Sequence, residues 1–167
     1  MRTDTIQSQT PDTTHQYLTF ALGAEEYGVE ILKIQEIKGY SPLTPLPNAP
    51  PYVKGVLNLR GTIVPILDLR AKFALAEVAC TKATVIVVVQ VGGQTIGFVV
   101  DAVSDVLTVA RDQIQPTPDL HGQIDTACLT GLAPAGEAGE KLVILLDIDK
   151  VLGTPEVMRM HAGTAQN

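Results

Sequence analysis

Tryptophan is absent from the 167 residues, and aromatic side chains of any kind make up only 4%. A core built from this chain must therefore be aliphatic. Charge is also scarce, at 18% of residues, and leans acidic: 18 Asp and Glu against 12 Lys and Arg leave a formal net charge of −6. The basic surplus that grips phosphates is missing, which argues against nucleic acid as a partner. Only two cysteines occur, Cys80 and Cys128, far apart and without a C-x-x-C pair or a histidine cluster. Neither a disulfide scaffold nor a metal site is indicated, and small buried thiols are expected instead. Long apolar runs are missing too. Val85 to Val89 and Leu142 to Leu146 fall far short of the roughly 20 residues that cross a bilayer. Met1 to Thr14 is polar and Thr/Gln-rich, unlike a signal peptide. A cytoplasmic chain without direct membrane insertion is the expectation.

What the chain does have is aliphatic bulk, since 46% of its residues are hydrophobic. Its length suits one domain or a tight pair of half-domains. An internal repeat favours the pair. With an offset of 69 positions, Tyr17-Leu-Thr-Phe-Ala-Leu-Gly23 falls on Ile86-Val-Val-Val-Gln-Val-Gly92, and Tyr27-Gly28-Val29 on Ile96-Gly97-Phe98. The same offset sets Ile34-Gln-Glu-Ile37 on Val103-Ser-Asp-Val106. Slightly longer offsets match Gly55-Val56 with Gly131-Leu132 and, further on, Ile63-Val-Pro-Ile-Leu-Asp68 with Leu142-Val-Ile-Leu-Leu-Asp147.

Each half reads as a small β-module. Leu18, Phe20 and Leu22 alternate with Tyr17, Thr19 and Ala21, predicting a strand with one buried face. Val85 to Val91 is almost continuously apolar and should be buried on both faces. Gly23-Ala24-Glu25 and Gly92-Gly93-Gln94 predict a hairpin turn opening each half. Ile31, Ile34 and Ile37 fit a helical turn or an irregular strand, and Pro65 predicts an edge strand or bulge. Ser41 to Pro51 holds five of the eleven prolines and should run extended over the surface. Many short strands with little helix point to two small barrels or a double sandwich.

The repeat also serves as an internal control. Features present in both halves most simply serve the shared fold. Gly28 and Gly97 then allow close backbone approach, and Asp68 and Asp147 cap short helices. As a catalytic carboxylate pair these aspartates would sit in separate modules and would not converge. The segment Asn58-Leu59-Arg60-Gly61 has no counterpart: its place is taken by the bland stretch around Ala133-Pro-Ala-Gly136. It should form a hairpin turn with Arg60 near the tip, where five guanidinium donors can clamp a carboxylate or helix end. Catalysis finds no support. His15, His121 and His161 sit in tails and a loop, and no G-x-S-x-G, P-loop or H-E-x-x-H occurs. No catalytic residue, metal or cofactor is assigned.

Glu25-Glu-Tyr-Gly28, Ile34-Gln-Glu-Ile-Lys-Gly-Tyr40 and the long run Gly55-Val-Leu-Asn-Leu-Arg-Gly-Thr-Ile-Val-Pro-Ile-Leu-Asp-Leu-Arg70 closely resemble the CheW family of bacterial chemotaxis coupling proteins. Val100-Asp-Ala-Val-Ser-Asp-Val106 and Leu129-Thr-Gly-Leu132 extend the likeness, which covers about Gln16 to Leu152. The resemblance implies a mostly β fold: two pseudo-repeated, five-stranded SH3-like barrels sharing one hydrophobic core, with short helices. It implies a CheW-like domain over residues 16–153, with intertwined subdomains at roughly 16–83 and 84–153 between tails 1–15 and 154–167. It further implies a non-enzymatic adaptor joining the regulatory domain of the histidine kinase CheA to the cytoplasmic tip of methyl-accepting chemoreceptors. Such an adaptor is cytoplasmic and recruited to membrane receptor arrays. By the resemblance, receptor contact falls on Ile34, Glu36, Asn58, Arg60 and Val106, while kinase-facing residues stay unassigned. A small-molecule-binding regulatory barrel using the cleft between modules is the alternative.

Charge divides unevenly between the halves. Met1 to Ala83 carries eight acids and eight bases, Thr84 to Asn167 ten acids and four bases. Six of the seven aromatics, all but Phe98, lie in the first half. The expectation is a neutral, aromatic module bearing the arginine beside an acidic, aliphatic one that orients association.

Overall fold

The computed structural model describes residues 14–73, 81–116, 128–136 and 140–153. Cys80, His121, His161 and both tails before 14 and after 153 lie outside the described residues. Ten strands run in chain order: β1 Thr14–Leu22, β2 Glu25–Glu30, β3 Ile34–Gly39, β4 Val53–Leu59 and β5 Thr62–Asp68, then β6 Val85–Val91, β7 Gln94–Val100, β8 Ala102–Ala110, β9 Leu129–Ala135 and β10 Lys141–Leu146. Two short helices, α1 Leu69–Lys72 and α2 Ile148–Leu152, follow β5 and β10. Asp68 accepts a hydrogen bond from the Arg70 amide at 3.0 Å, and Asp147 caps α2 in the same way through Lys150, as the repeat predicts.

The strands form two five-stranded sheets, ordered β8-β1-β2-β10-β9 and β3-β6-β7-β5-β4. Neither sheet follows a half of the sequence. The opening hairpin of each half, β1–β2 or β6–β7, joins the three remaining strands of the other half. The antiparallel pairings of β1 with β8 and of β3 with β6 join the halves, and two parallel pairings, β2 with β10 and β5 with β7, complete the exchange. Glycine permits both. A Cβ on Gly28 would stand 3.0 Å from the Leu145 side chain, and one on Gly97 2.7 Å from that of Ile66. These are the same residues to which each glycine is paired across the parallel ladder.

Burial follows from this arrangement. On β6, Val87, Val89 and Val91 enter a core shared by both sheets, while Ile86 and Val88 point into the interior of their own barrel. The other barrel has its own interior cluster of Tyr17, Val109, Ala133, Val143 and Leu145. The shared core expected from the resemblance is present, and each barrel adds an interior cluster of its own, because each sheet curls enough to enclose a second face. The prediction of a single buried face for β1 is corrected for the same reason. β1 lies between β8 and β2, so Tyr17 and Thr19 are buried as well. The Thr19 hydroxyl is satisfied by the Asp105 backbone, donating to its carbonyl at 3.0 Å and accepting from its amide at 3.1 Å.

Pro65 does not mark an edge strand, since β5 lies between β7 and β4. It faces Val56 of β4, and the parallel ladder to β7 spans Ile66 to Asp68. The missing N–H falls just outside that second ladder. Ile31–Lys33 forms a 3-10 turn leading into β3, so the isoleucine spacing reflects a turn followed by an irregular strand with a register shift between Ile34 and Glu36.

The hairpin exchange also redraws the sidedness. Glu25, Glu26 and Glu30 belong to β2 and hence to the sheet of β8, β9 and β10, whereas β6 and β7 bring no charge to the other sheet. The acidic character of the first sheet is increased by residues of the first half. The aromatics do not mark one module. Phe20 stacks near Tyr27 and Tyr27 near Phe73, and Phe20 meets Phe98 at 5.6 Å between centroids, all within the core shared by the sheets.

Candidate functional site

The β4–β5 hairpin carries the segment without a repeat counterpart. Leu59 pairs with Thr62, leaving Arg60 and Gly61 as a two-residue loop. Both have positive φ, 51° and 89°, as a type I′ turn requires. Asn58 fixes the turn by accepting the Gly61 amide on its side-chain oxygen at 2.8 Å. Arginine in the left-handed region costs conformational energy that this turn imposes. The side chain is placed at the tip as a result and is 67% exposed.

Arg60 is hydrogen-bonded through its guanidinium to the carboxylate of Glu36 on β3. β3 and β4 are the opposite edges of their sheet, so the pair ties together the two ends of a curled sheet and closes the barrel at that point. The Arg60 hydrogen bond is the main reason the Glu36 carboxyl is held below its ordinary range, slight desolvation acting the other way. The Arg60 guanidinium is correspondingly pushed up. In so exposed a place the pair adds little stability. Its consequence is orientation: the fork is held in one direction with most of its donors unspent.

Of the residues expected at a receptor contact, Glu36, Asn58 and Arg60 are gathered around this turn. Ile34 lies two residues before Glu36 on β3, half-buried against the shared core. Val106 lies on β8 of the other sheet, paired with Leu18 and 42% exposed. Other exposed aliphatic residues went unassigned in the sequence. Ile37 of β3 and Ile63 of β5 are exposed near the site, and Leu142 of β10 is exposed on the other barrel. The repeat that aligns Ile37 with Val106 and Ile63 with Leu142 could have identified them, because both barrels expose the same two positions.

Two further ion pairs escaped the sequence reading. Arg70, buried at the start of α1, makes a two-pronged contact with Asp101, with Nε at 2.9 Å from Oδ1. Asp101 also accepts the Gly23 amide at 2.9 Å. On the other barrel Lys33 meets Asp149 of α2 at 2.7 Å. The repeat offsets relate Arg70 to Asp149 and place Asp101 beside the position of Lys33. The two contacts are thus one design with its charges reversed.

A groove of about 450 Å³ lies on the acidic barrel, lined by His15, Glu30, Lys33, Arg111 and Asp149 among others. Its charges are committed to each other: Lys33 to Asp149 and His15 to Glu30 and Arg111. Burial pushes up the phenol of Tyr17 in its wall, with Glu30 adding to the effect. No cluster of metal-ligating side chains occurs among the described residues, and no helix among them is long and apolar enough to cross a membrane.

Comparison with known proteins bears on this geometry. The family profile described as CheW-like domain matches residues 16–156. Chemotaxis protein CheW of Klebsiella aerogenes is 49% identical over 142 residues, covering 85% of this chain and 84% of that protein. Chemotaxis protein CheW of Rhizobium meliloti is 39% identical over 142 residues, covering 84% and 89%. Among solved structures, the scaffolding protein TtCheW from Thermoanaerobacter tengcongensis superimposes with a TM-score of 0.77 at 30% identity, covering 85% of this chain and 90% of that one. None of these likenesses favours the small-molecule-binding alternative.

Proposed function

This chain belongs to the CheW-like family, and from that membership we infer that it is an adaptor of bacterial chemotaxis, coupling chemoreceptors to the histidine kinase CheA. The observation that carries this reading is a 49% identity to a chemotaxis protein CheW sustained over 85% of the chain. The family is one of scaffolds and not of enzymes. The functional module is taken to span 16–153, as two intertwined subdomains at roughly 16–83 and 84–153 that exchange their opening hairpins, with tails at 1–15 and 154–167.

The finer assignment is that the receptor's cytoplasmic tip docks at Ile34, Glu36, Asn58 and Arg60, with Val106 on the neighbouring barrel as an outlying contact. CheA engages through its regulatory domain, and the adaptor joins membrane receptor arrays by these contacts. The support is geometric and chemical. A guanidinium held at a rigid turn, with exposed Ile37 and Ile63 on the adjoining strands, offers a charged anchor next to apolar side chains, an arrangement that concentrates binding energy.

The test is a binding titration with a receptor cytoplasmic fragment and, separately, CheA. Wild-type protein that binds neither would remove the adaptor reading. Arg60→Asp places two carboxylates together and removes the fork, so receptor affinity should fall at least about tenfold, the worth of one charge-assisted hydrogen bond. Affinity for CheA and the circular dichroism spectrum should stay unchanged. Equal loss of both partners would refute the placement of the receptor site.

A further inference from the structure

We propose that the mouth of the barrel formed by β3 to β7 is a reading site for one acceptor-bearing side chain of the receptor, a carboxylate or carboxamide, selected by Gln35, Gln90 and Thr95. This rests on the adaptor reading and adds the residues that would choose among receptor sequences.

The geometry starts from strand periodicity. On β6, Ile86 and Val88 point into the barrel, and Gln90 is the next residue in that row. On β7, Val99 points inward and Thr95 shares its face at the same end. On β5, Val64 and Ile66 point inward, and Thr62 begins their row. Three apolar rows therefore end in a polar residue at one rim. Gln35 joins them because the register shift between Ile34 and Glu36 makes it the extra residue of β3.

These side chains are linked. The Gln90 amide nitrogen donates to the Gln35 oxygen at 2.5 Å and to the Thr95 hydroxyl at 2.7 Å. Arg60 and Glu36 continue the arc on the far side of the rim. Between them lies a cleft of about 170 Å³, lined by Gln35, Leu59, Arg60, Thr62, Val64 and Thr95. At about 30 Å³ per water it holds five or six waters, which suits one side chain and excludes a metabolite of ordinary size.

A count of hydrogen-bonding capacity gives the chemistry. Both Gln90 N–H groups are spent inside the arc. The Gln35 amide N–H groups, the hydroxyls of Thr95 and Thr62, and most of the Arg60 fork face the cleft. On the acceptor side stands the Glu36 carboxylate, already engaged by Arg60, while Gln90 lies behind the lining and acts by fixing Gln35 and Thr95. A donor-rich mouth accepts a side-chain oxygen and leaves it better satisfied than an apolar or cationic group, which would strand the donors.

The other barrel supplies a control. Its equivalent mouth, lined by Glu25, Glu26, Lys141, Leu142 and Val143, is acidic, and Ser104, the repeat counterpart of Gln35, donates to Glu26 at 2.7 Å. Its hydrogen-bonding polarity is reversed, so the donor-rich mouth is not a by-product of the shared fold.

The experiment titrates a receptor cytoplasmic fragment against the full chain carrying Gln90→Leu, Gln35→Leu or the isosteric Thr95→Val, with Ser104→Ala as the matched control. Each of the first three should weaken receptor binding by about five- to twentyfold and leave CheA binding and the thermal midpoint in place. An alanine scan of Glu, Gln, Asp and Asn on the fragment should find one residue whose loss costs nothing further in the Gln90→Leu background. Wild-type affinity in all three variants, or an equal loss in Ser104→Ala, overturns the proposal. Loss on Arg60→Asp without loss on Gln90→Leu keeps the arginine site and removes the mouth. The converse result keeps the mouth and removes the arginine site.

Discussion

Alanine at Asp101 should lower the unfolding free energy by about 2–3 kcal/mol, because it takes a two-pronged carboxylate away from a buried guanidinium. The Arg70 side chain is 10% exposed and Asp101 28%. The loss therefore lies below that of a fully buried pair and above that of a surface bridge. Asp101 also holds the β1–β2 turn through the Gly23 amide, so α1, the end of β7 and that turn lose their common anchor together. For a chain of this length the midpoint should fall by about 4–12 °C in a thermal melt. Lys33→Ala, at the charge-reversed counterpart, should cost under about 1 kcal/mol, because that pair is 36% and 45% exposed.

The pH dependence of this difference has a definite sign. Asp101 is held below the ordinary carboxylate range, chiefly by the Arg70 hydrogen bond and further by the Gly23 amide, with burial opposing. A carboxyl lowered in the folded state contributes stability that is present above its unfolded pKa of about 3.9 and lost as pH falls through the folded value. The gap between wild type and Asp101→Ala should be full at pH 7 and close progressively below about pH 4. A gap that stays constant down to pH 2 would mean that something other than the carboxylate accounts for the loss.

Gly55→Ala should be at least as damaging, at about 3 kcal/mol or more. Gly55 has φ of 155°, and a Cβ there would stand 2.5 Å from the Thr44 carbonyl oxygen. Thr44 has no room to retreat, because it exchanges two backbone hydrogen bonds with Val56, at 3.0 and 2.8 Å. Backbone strain and overpacking each contribute about 1–3 kcal/mol. Gly131→Ala should behave alike, since its Cβ would meet the Gln115 oxygen at 2.6 Å and Gln115 is pinned to Leu132 by two bonds of 2.8 Å. Gly39→Ala is the control, as nothing lies within 4 Å of its Cβ. Urea midpoints for the three variants check the ranking. Equal midpoints for Gly55→Ala and Gly39→Ala would show that the Leu43–Thr44 segment yields where it is here taken as fixed.

The legible parts of this molecule are the local ones. Both hairpins, both aspartate caps and the Arg60 turn follow from residues within a few positions of each other. Arg60 and Glu36 are 24 positions apart, and only the closing of β3 toward the β4–β5 turn pairs them. Arg70 and Asp101 stood in the motif segments without any sign of partnership, since 31 residues separate them. Gln35, Gln90 and Thr95 read as polar interruptions of strands. Their convergence depends on a bulge and on three separate pairings.

The amino-acid sequence by itself determined that there are two related β-modules, where their turns fall, and which glycines must stay bare. Periodicity and φ preference act between near neighbours, so one chain is enough to read them. Only the tertiary structure decided that each opening hairpin joins the strands of the other half. β1 and β6 are both buried on two faces, and no local residue distinguishes one receiving sheet from the other. The choice is made by long-range pairing, antiparallel for β1 with β8 and β3 with β6, and parallel for β2 with β10 and β5 with β7, where Gly28 and Gly97 let the strands close.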